Sequence, residues 1–460
     1  MTLLSKALYY WRGFASGSVN RRIFYAMTVI MAATFAVKVA AVVKDIFIAG
    51  SFGLADELDA FLIALVIPFF GVVVLAQSFS GSFMPAYIRV AEQDGADAAK
   101  RLFAHVIVLN FGILLACTLL LAAAGVPLLK LLAFEFSAEK RALAYELYLV
   151  LLPLIIIEGQ LSVWGAVLNA REKFGLVALS PVLRPLIIIG VFLYASGEGV
   201  DIRVVAWATI IGCATELVAV GYALTRRGLL PFPRWDTTIN SAGDVSRQYL
   251  PLVLSAMIMG SSSIIDQAMA SWLGSGSVAA LNYGNKVPAF LSGIGATALG
   301  TAVLPHFSRL VAIGDHAALR HTMKTYTRWI LTISIPVTVF FIAGSEWIVR
   351  LLFERGAFHS DDTVLVARIQ QMYLIQVPFF VLGILAVRVL VAMSKNHLLT
   401  IMAVINLVVN VICNLVFMRW LGVSGIALST SVVYVVSMAM ILVLVAKNLS
   451  AAQRAAGKNL

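Results

Sequence analysis

Charge is scarce in this chain. Asp, Glu, Lys and Arg make up only 12% of its 460 residues, where soluble proteins carry about 25%. That shortage excludes an ordinary soluble domain, which needs a charged surface to stay in water. Cysteine is scarcer still. The three present, Cys117, Cys213 and Cys413, lie far apart and inside apolar runs. This excludes a disulfide framework and the close Cys spacing of a structural zinc site. No paired acidic motif occurs on a loop where a membrane-embedded glycosyltransferase would need one. The string Gly293-Ile-Gly295-Ala-Thr-Ala298 lies within an apolar run with no strand before it, so it reads as helix packing and not as a nucleotide loop. An enzyme is therefore not expected. The first 22 residues lack the apolar core of a cleavable signal. They set Lys6, Arg12, Arg21 and Arg22 among Tyr9, Tyr10, Trp11 and Phe14, the composition of an interfacial anchor.

What the chain has in abundance is long apolar runs. Hydrophobic residues make up 61% of it. Twelve runs are long enough to cross a bilayer as helices, near residues 23–49, 59–88, 102–125, 142–168, 174–196, 202–225, 248–273, 278–308, 325–346, 362–393, 396–419 and 421–446. The expected fold is an all-α polytopic membrane protein. The net charge of +11 raises the question of a nucleic-acid partner, but the basic residues sit in short loops between the runs. Arg89, Lys100 and Arg101, then Arg171 and Lys173, then Arg226 and Arg227 fall on one side of the membrane, and fewer basic residues fall on the other. This asymmetry places both termini in the cytoplasm and argues for a bilayer and against nucleic acid.

The halves repeat. Asp45, Gly53, Pro68, Pro85 and Arg89 match Asp266, Gly274, Pro288, Pro305 and Arg309 at a steady offset of about 220 residues. An even number of spans per copy gives two parallel six-helix lobes, residues 1–225 and 248–460, joined by a cytoplasmic linker at 226–247. Such lobes with a site between them are a transporter architecture.

Charges inside the spans mark candidate sites. Lys38 lies about 18 Å along its helix from the next turn, and Lys44 and Asp45 follow one to two turns later. Asp59 opens the second run, and Lys286 recurs in the second half. These residues read either as helix-locking ion pairs or as a cationic cavity for an anionic substrate. Arg184 stands between Pro181 and Pro185 and either lines that cavity or reaches to the membrane surface. Glu158 and Glu216 are deep carboxylates, which read as proton sites or as hydrogen-bonding residues. Asn406, Asn410 and Asn414 form a stripe along one helix face. The stripe either bonds a neighbouring helix or, with Asp266 and Thr430 from other spans, Asn410 and Asn414 offer the oxygen ligands that a hard monovalent cation prefers.

The segment Lys44 to Pro68, KDIFIAGSFG with its following Asp59-Ala-Phe, resembles the first two helices of the MurJ/MviN lipid II flippases. Gly274 to Leu310 resembles the seventh-to-eighth helix motif of that family, and Gly422 to Thr430 its twelfth-helix start. The resemblance implies a flippase of the multidrug/oligosaccharidyl-lipid/polysaccharide exporter superfamily. Such a protein moves an undecaprenyl-pyrophosphate-linked glycan, lipid II or an exopolysaccharide unit, across the bacterial inner membrane by alternating access. It implies that Lys38, Lys44 and Lys286 grip the pyrophosphate where the family has arginines, and that Asp59 matches an acidic position. It also implies that Asp266, Asn410, Asn414 and Thr430 stand where some members bind sodium, so that sodium or proton coupling is expected, with cell-envelope synthesis proteins as partners. The family's paired arginines of the second helix are replaced here by Val72-Val73. Other functions of this architecture are ion-coupled drug export and a non-transporting role in a cell-wall complex.

Overall fold

The computed structural model describes residues 19–195, 199–235 and 241–456. Most of the basic anchor segment, part of the linker and the last four residues lie outside the described residues. Among those described the structure is helical, with no strand. The twelve spans are Val19–Phe52, Asp56–Gln93, Ala96–Ala123, Ala138–Ala170, Phe174–Tyr194, Ile202–Arg226, Ser241–Ala270, Ser277–Gly284 continued by Lys286–Ala312, His316–Ala343, Ser360–Ala392, Asn396–Leu421 and Val423–Ala456. Each covers a run expected from the sequence. Ten helices among the described residues are long and apolar enough to cross a membrane. The first span is long as well, but it carries Lys38, Lys44 and Asp45 in its apolar run.

The helices start and stop for local reasons. Asp201 accepts the Arg203 backbone N–H at 2.8 Å and opens the sixth span. Asp315 does the same for the ninth through Ala318, also at 2.8 Å. Both satisfy a backbone donor that has no partner within the helix. The second span widens into a π-turn at Val72–Ala76, after Pro68. The fourth span breaks before Leu154, where Pro153 caps the next segment, and the tenth breaks at Ile375, just before Pro378.

The repeat seen in the sequence is present in the backbone. Left-handed residues recur about 220 positions apart: Gly53 with Gly274, Gly95 with Gly314, and the non-glycine pair Glu172 with Ser394. Each pair turns the chain at an equivalent place. A short helix follows the third span of each half, Gly125–Leu132 and Ser345–Phe353. After the latter, Thr363 Oγ1 donates to Glu354 at 2.6 Å and Arg350 Nε donates at 3.2 Å. Together they hold this half-buried carboxyl below its ordinary range.

By contact the chain groups into two units. The first takes residues 1–48, 64–127 and 144–256, and the second takes 49–63, 128–143 and 257–460. The core of the first is aromatic: Phe83 packs against Tyr87 and Phe103 at ring separations of 5.6 and 6.1 Å. The core of the second is aliphatic, with Leu382, Leu385, Val389, Ile441 and Val445 around Phe307. Within the second unit the turn after the first span interlocks with the 355–358 loop. Ala357 N donates to Gly50 O at 2.8 Å. Gly53 and Gly356 both have positive φ, and a Cβ on either would fall on the backbone of the opposing turn.

Gly356→Ala is expected to lower the thermal midpoint of the purified protein, because backbone strain of this kind costs about 1–3 kcal/mol. Gly383, inside the tenth span, has open space around an added Cβ. Gly383→Ala is expected to leave the midpoint unchanged or raise it, since alanine is the better helix former. Equal effects of the two substitutions would contradict the interlock.

Candidate functional site

The charged side chains fall into separate clusters, each built on elements of a single unit. The first cluster surrounds Asp59, which is fully buried. Its Oδ2 accepts Lys140 Nζ at 2.8 Å and Gly276 N at 2.8 Å, and its Oδ1 accepts Ala279 N at 2.8 Å. Gly276 is the N-cap of the helix Ser277–Gly284, so Asp59 caps that helix from a distant part of the chain. A carboxylate is favoured there because the first N–H groups and the helix dipole face it. Lys140 Nζ also reaches Asp56 at 2.5 Å, and Ser275 donates to Asp56 at 2.7 Å. The ring of Phe136 lies 4.1 Å from the same ammonium. Asp59, expected from the sequence among the substrate-binding residues, is thus paired with Lys140, which the sequence does not single out. The signal was available: two carboxylates, Asp56 and Asp59, and Lys140 fall on the same side of the membrane.

The second cluster lies in the first unit. Arg184 forms a two-pronged pair with Glu158, with Nη2 to Oε2 at 3.0 Å and Nη1 to Oε1, and its Nε pairs with Glu216. Ser180 Oγ donates to Glu216 at 2.8 Å, and Cys213 Sγ lies 3.8 Å from Glu158. Pro181 lies in a short 3₁₀ turn, Ser180–Val182, and Arg184 and Pro185 follow in the first turn of the helical segment Leu183–Tyr194, which brings Arg184 beside the sixth span. Gly212 permits this close approach, since a Cβ there would stand 3.0 Å from the Arg184 Cα. The two deep glutamates therefore share one guanidinium, a grouping that the sequence left open.

The third cluster lies in the second unit and joins residues of the seventh, eleventh and twelfth spans. Asp266 Oδ1 accepts Asn410 Nδ2 at 3.0 Å and Asn414 Nδ2 at 2.7 Å, and its Oδ2 accepts Thr430 Oγ1 at 3.2 Å. The four residues that the family resemblance grouped thus meet in space. Asn410 and Asn414 are 1% and 0% exposed, and their Oδ1 atoms have no hydrogen-bond partner. Buried polar oxygens are normally satisfied, so two orphans beside a carboxylate suit a hard cation held by oxygen ligands. Two cavities meet at Asp266, of about 440 and about 390 Å³. No group of three His, Cys, Asp or Glu residues that could hold a metal occurs among the described residues.

The three lysines are half-buried. Lys44 Nζ pairs with its neighbour Asp45 at 2.8 Å. Lys38 lies two turns earlier on the same helix. Lys286 begins the longer segment of the eighth span. The π-turn at Val72–Ala76 occupies the place where the resemblance expects paired arginines.

A helical bundle of this kind is shared with known exporters. A solved lipid II flippase MurJ in an inward closed conformation superposes with a TM-score of 0.77 at 24% identity, covering 91% of this chain and 87% of its own. An inward-facing multidrug-resistance transporter of the MATE family also reaches 0.77, at 17% identity over 93% of this chain and 99% of its own. These likenesses show the fold alone, a multi-pass helical fold shared with those two transporters. The family follows from sequence: the lipid II flippase MurJ family profile matches residues 48–458, and the chain belongs to that family. Relatives described as probable lipid II flippase MurJ include one from Rhizobium tropici, 26% identical over 76% of this chain and 67% of its own length. Another, from Thermotoga maritima, is 28% identical over 87% of this chain and 81% of its own.

Asp59→Ala is expected to destabilise the fold by about 3–5 kcal/mol, because it leaves the buried Lys140 ammonium without its inner partner. Lys140→Met combined with Asp59→Leu is expected to recover part of that loss. Thermal unfolding in detergent checks both. A neutral Asp59→Ala would show that this cluster does not hold the turn.

Proposed function

We propose that this protein is a flippase for an undecaprenyl-pyrophosphate-linked glycan, with lipid II as the substrate that its family membership favours. The observation that carries this reading is the family match over residues 48–458. The chemistry of the chain supports it. Pyrophosphate is a dense anion, and Lys38, Lys44 and Lys286 are cations set within apolar spans. Each meets phosphate as a point charge without the two-pronged fork of arginine. Arg184 is met by Glu158 and Glu216, Asp59 by Lys140, and Lys44 by Asp45; the grip on the headgroup is assigned to the three lysines. The substrate is carried across by alternating access of the two repeat-related halves, 1–225 and 248–460. The protein acts in the bacterial inner membrane with both termini in the cytoplasm, the arrangement favoured by its loop charges. Cell-envelope synthesis proteins that make and consume the glycan are its expected partners.

The coupling ion is sodium in this reading. Asp266, Asn410, Asn414 and Thr430 supply a carboxylate, two amide oxygens and a hydroxyl. A proton would need only the carboxylate and would leave the two buried amide oxygens unexplained. Sodium bound there would stabilise one conformation over the other by its differential affinity.

Reconstituted protein and a fluorescent lipid II analogue test the proposal. Lys38→Ala and Lys286→Ala are each expected to slow flipping roughly tenfold or more, since a hydrogen bond to a charged group contributes about 1.5–3 kcal/mol. Replacing sodium by choline is expected to slow the unmodified protein, and Asp266→Asn to remove that dependence. Unchanged flipping in both lysine variants, at normal expression, would overturn the headgroup assignment.

A further inference from the structure

We propose that the cavity running from Asp266 past Asn406 and Ser437 is a passage for the coupling cation through the second unit, with Asn406 and Ser437 as a transient second station. The proposal rests on reading the Asp266 cluster as a sodium site, and it adds a route and two residues to it.

Asn406 lies one step of four residues before Asn410 on the eleventh span, so it shares a helix face with Asn410 and Asn414, about 6 Å further along. Its Nδ2 donates to Ser437 Oγ on the twelfth span at 3.1 Å. Its Oδ1 is buried and has no hydrogen-bond partner. Pairing of two membrane helices uses the amide N–H and leaves that oxygen unaccounted for. Cation transit accounts for it.

The cavity supplies the continuity. A single space of about 390 Å³ is bounded by both Asp266 and Asn406, with Ser262, Asn410, Thr430, Tyr434 and Ser437 as the other polar groups of its wall. The rest of the wall is apolar, including Ile258, Ile384, Val387 and Met402. Among the described residues no lysine or arginine borders it, so a cation inside meets oxygen atoms and one carboxylate. The residues that bound it run toward the end of the unit carrying the turn between the tenth and eleventh spans. The second cavity, of about 440 Å³, shares Asp266, Thr430 and Tyr434 and extends the opposite way, past Gln267, Asn282 and Asn285. Among the described residues Asp266 is the sole carboxylate in either wall, and it stands where the two meet. Stepwise exchange from one oxygen station to the next lowers the cost of stripping water from the ion, and a weak outlying station lets it leave.

The full-length protein in proteoliposomes, with radioactive sodium as the probe, separates a station from a ligand. Equilibrium sodium affinity and the rate of sodium exchange are measured for the unmodified protein and for Asn406→Leu, Ser437→Ala, Asn406→Asp and Asp266→Asn. Asp266→Asn is expected to abolish binding. Asn406→Leu and Ser437→Ala are expected to keep affinity within roughly threefold while slowing exchange roughly tenfold, the scale of one lost polar partner in the barrier. Asn406→Asp is expected to speed capture, which a purely structural amide would not do. Exchange unchanged in both Asn406→Leu and Ser437→Ala would overturn the passage while leaving the sodium site intact. Loss of affinity in Asn406→Leu as complete as in Asp266→Asn would make Asn406 a ligand of the main site and overturn the station. Absence of sodium binding by the unmodified protein would instead overturn the sodium site, and the passage with it.

Discussion

A charge placed in an apolar helical bundle must be answered where it stands. Water cannot reach it cheaply, and an unpaired ion in that setting costs several kcal/mol. With only 12% charged residues, the chain spends its intramembrane charges sparingly, and each cluster has its own answer. Asp59 is met by an ammonium and two backbone N–H groups. Arg184 is met by two carboxylates. Asp266 is met only by neutral amides and a hydroxyl. That difference sorts them. The first two clusters are closed by their own counter-charges and hold helices together. The third has no cation among its hydrogen-bond partners in the described residues, and two buried amide oxygens beside it have no hydrogen-bond partner.

The clusters also explain why the spans are irregular where they are. Pro181 and Pro185 tighten the fifth span beside Arg184, and Gly212 lets the sixth approach it. The eighth span is interrupted between Gly284 and Lys286, so its first segment has a separate N-terminus for Asp59 to cap. The tenth span breaks at Ile375, between Tyr373 and Gln376, both of which line the larger cavity at Asp266. In each case a departure from a straight helix brings polar groups into a cluster that a straight apolar rod would keep apart.

Much of this was legible in the sequence. Apolar runs gave the twelve spans because a bilayer fixes their length, and the offset of Asp45 and Gly53 from Asp266 and Gly274 gave the repeat. The grouping of Asp266, Asn410, Asn414 and Thr430 came from family resemblance, and the asparagine stripe came from helical spacing alone. Pairing was not legible. Nothing in the order of residues says that Lys140 crosses to Asp59, or that Glu158 and Glu216 converge on one guanidinium, because those contacts depend on how helices far apart in sequence are packed. The π-turn at Val72–Ala76 was likewise hidden: its five residues are apolar and would suit a regular helix equally well.

The central proposal is that Lys38, Lys44 and Lys286 recognise the pyrophosphate of a lipid-linked substrate. The most direct test is the affinity of the purified protein for a polyprenyl pyrophosphate against the matching monophosphate, measured across a range of ionic strength. The account predicts tighter binding of the pyrophosphate, with a preference that shrinks as salt screens the lysines. Equal affinity for the two lipids at low salt would contradict it.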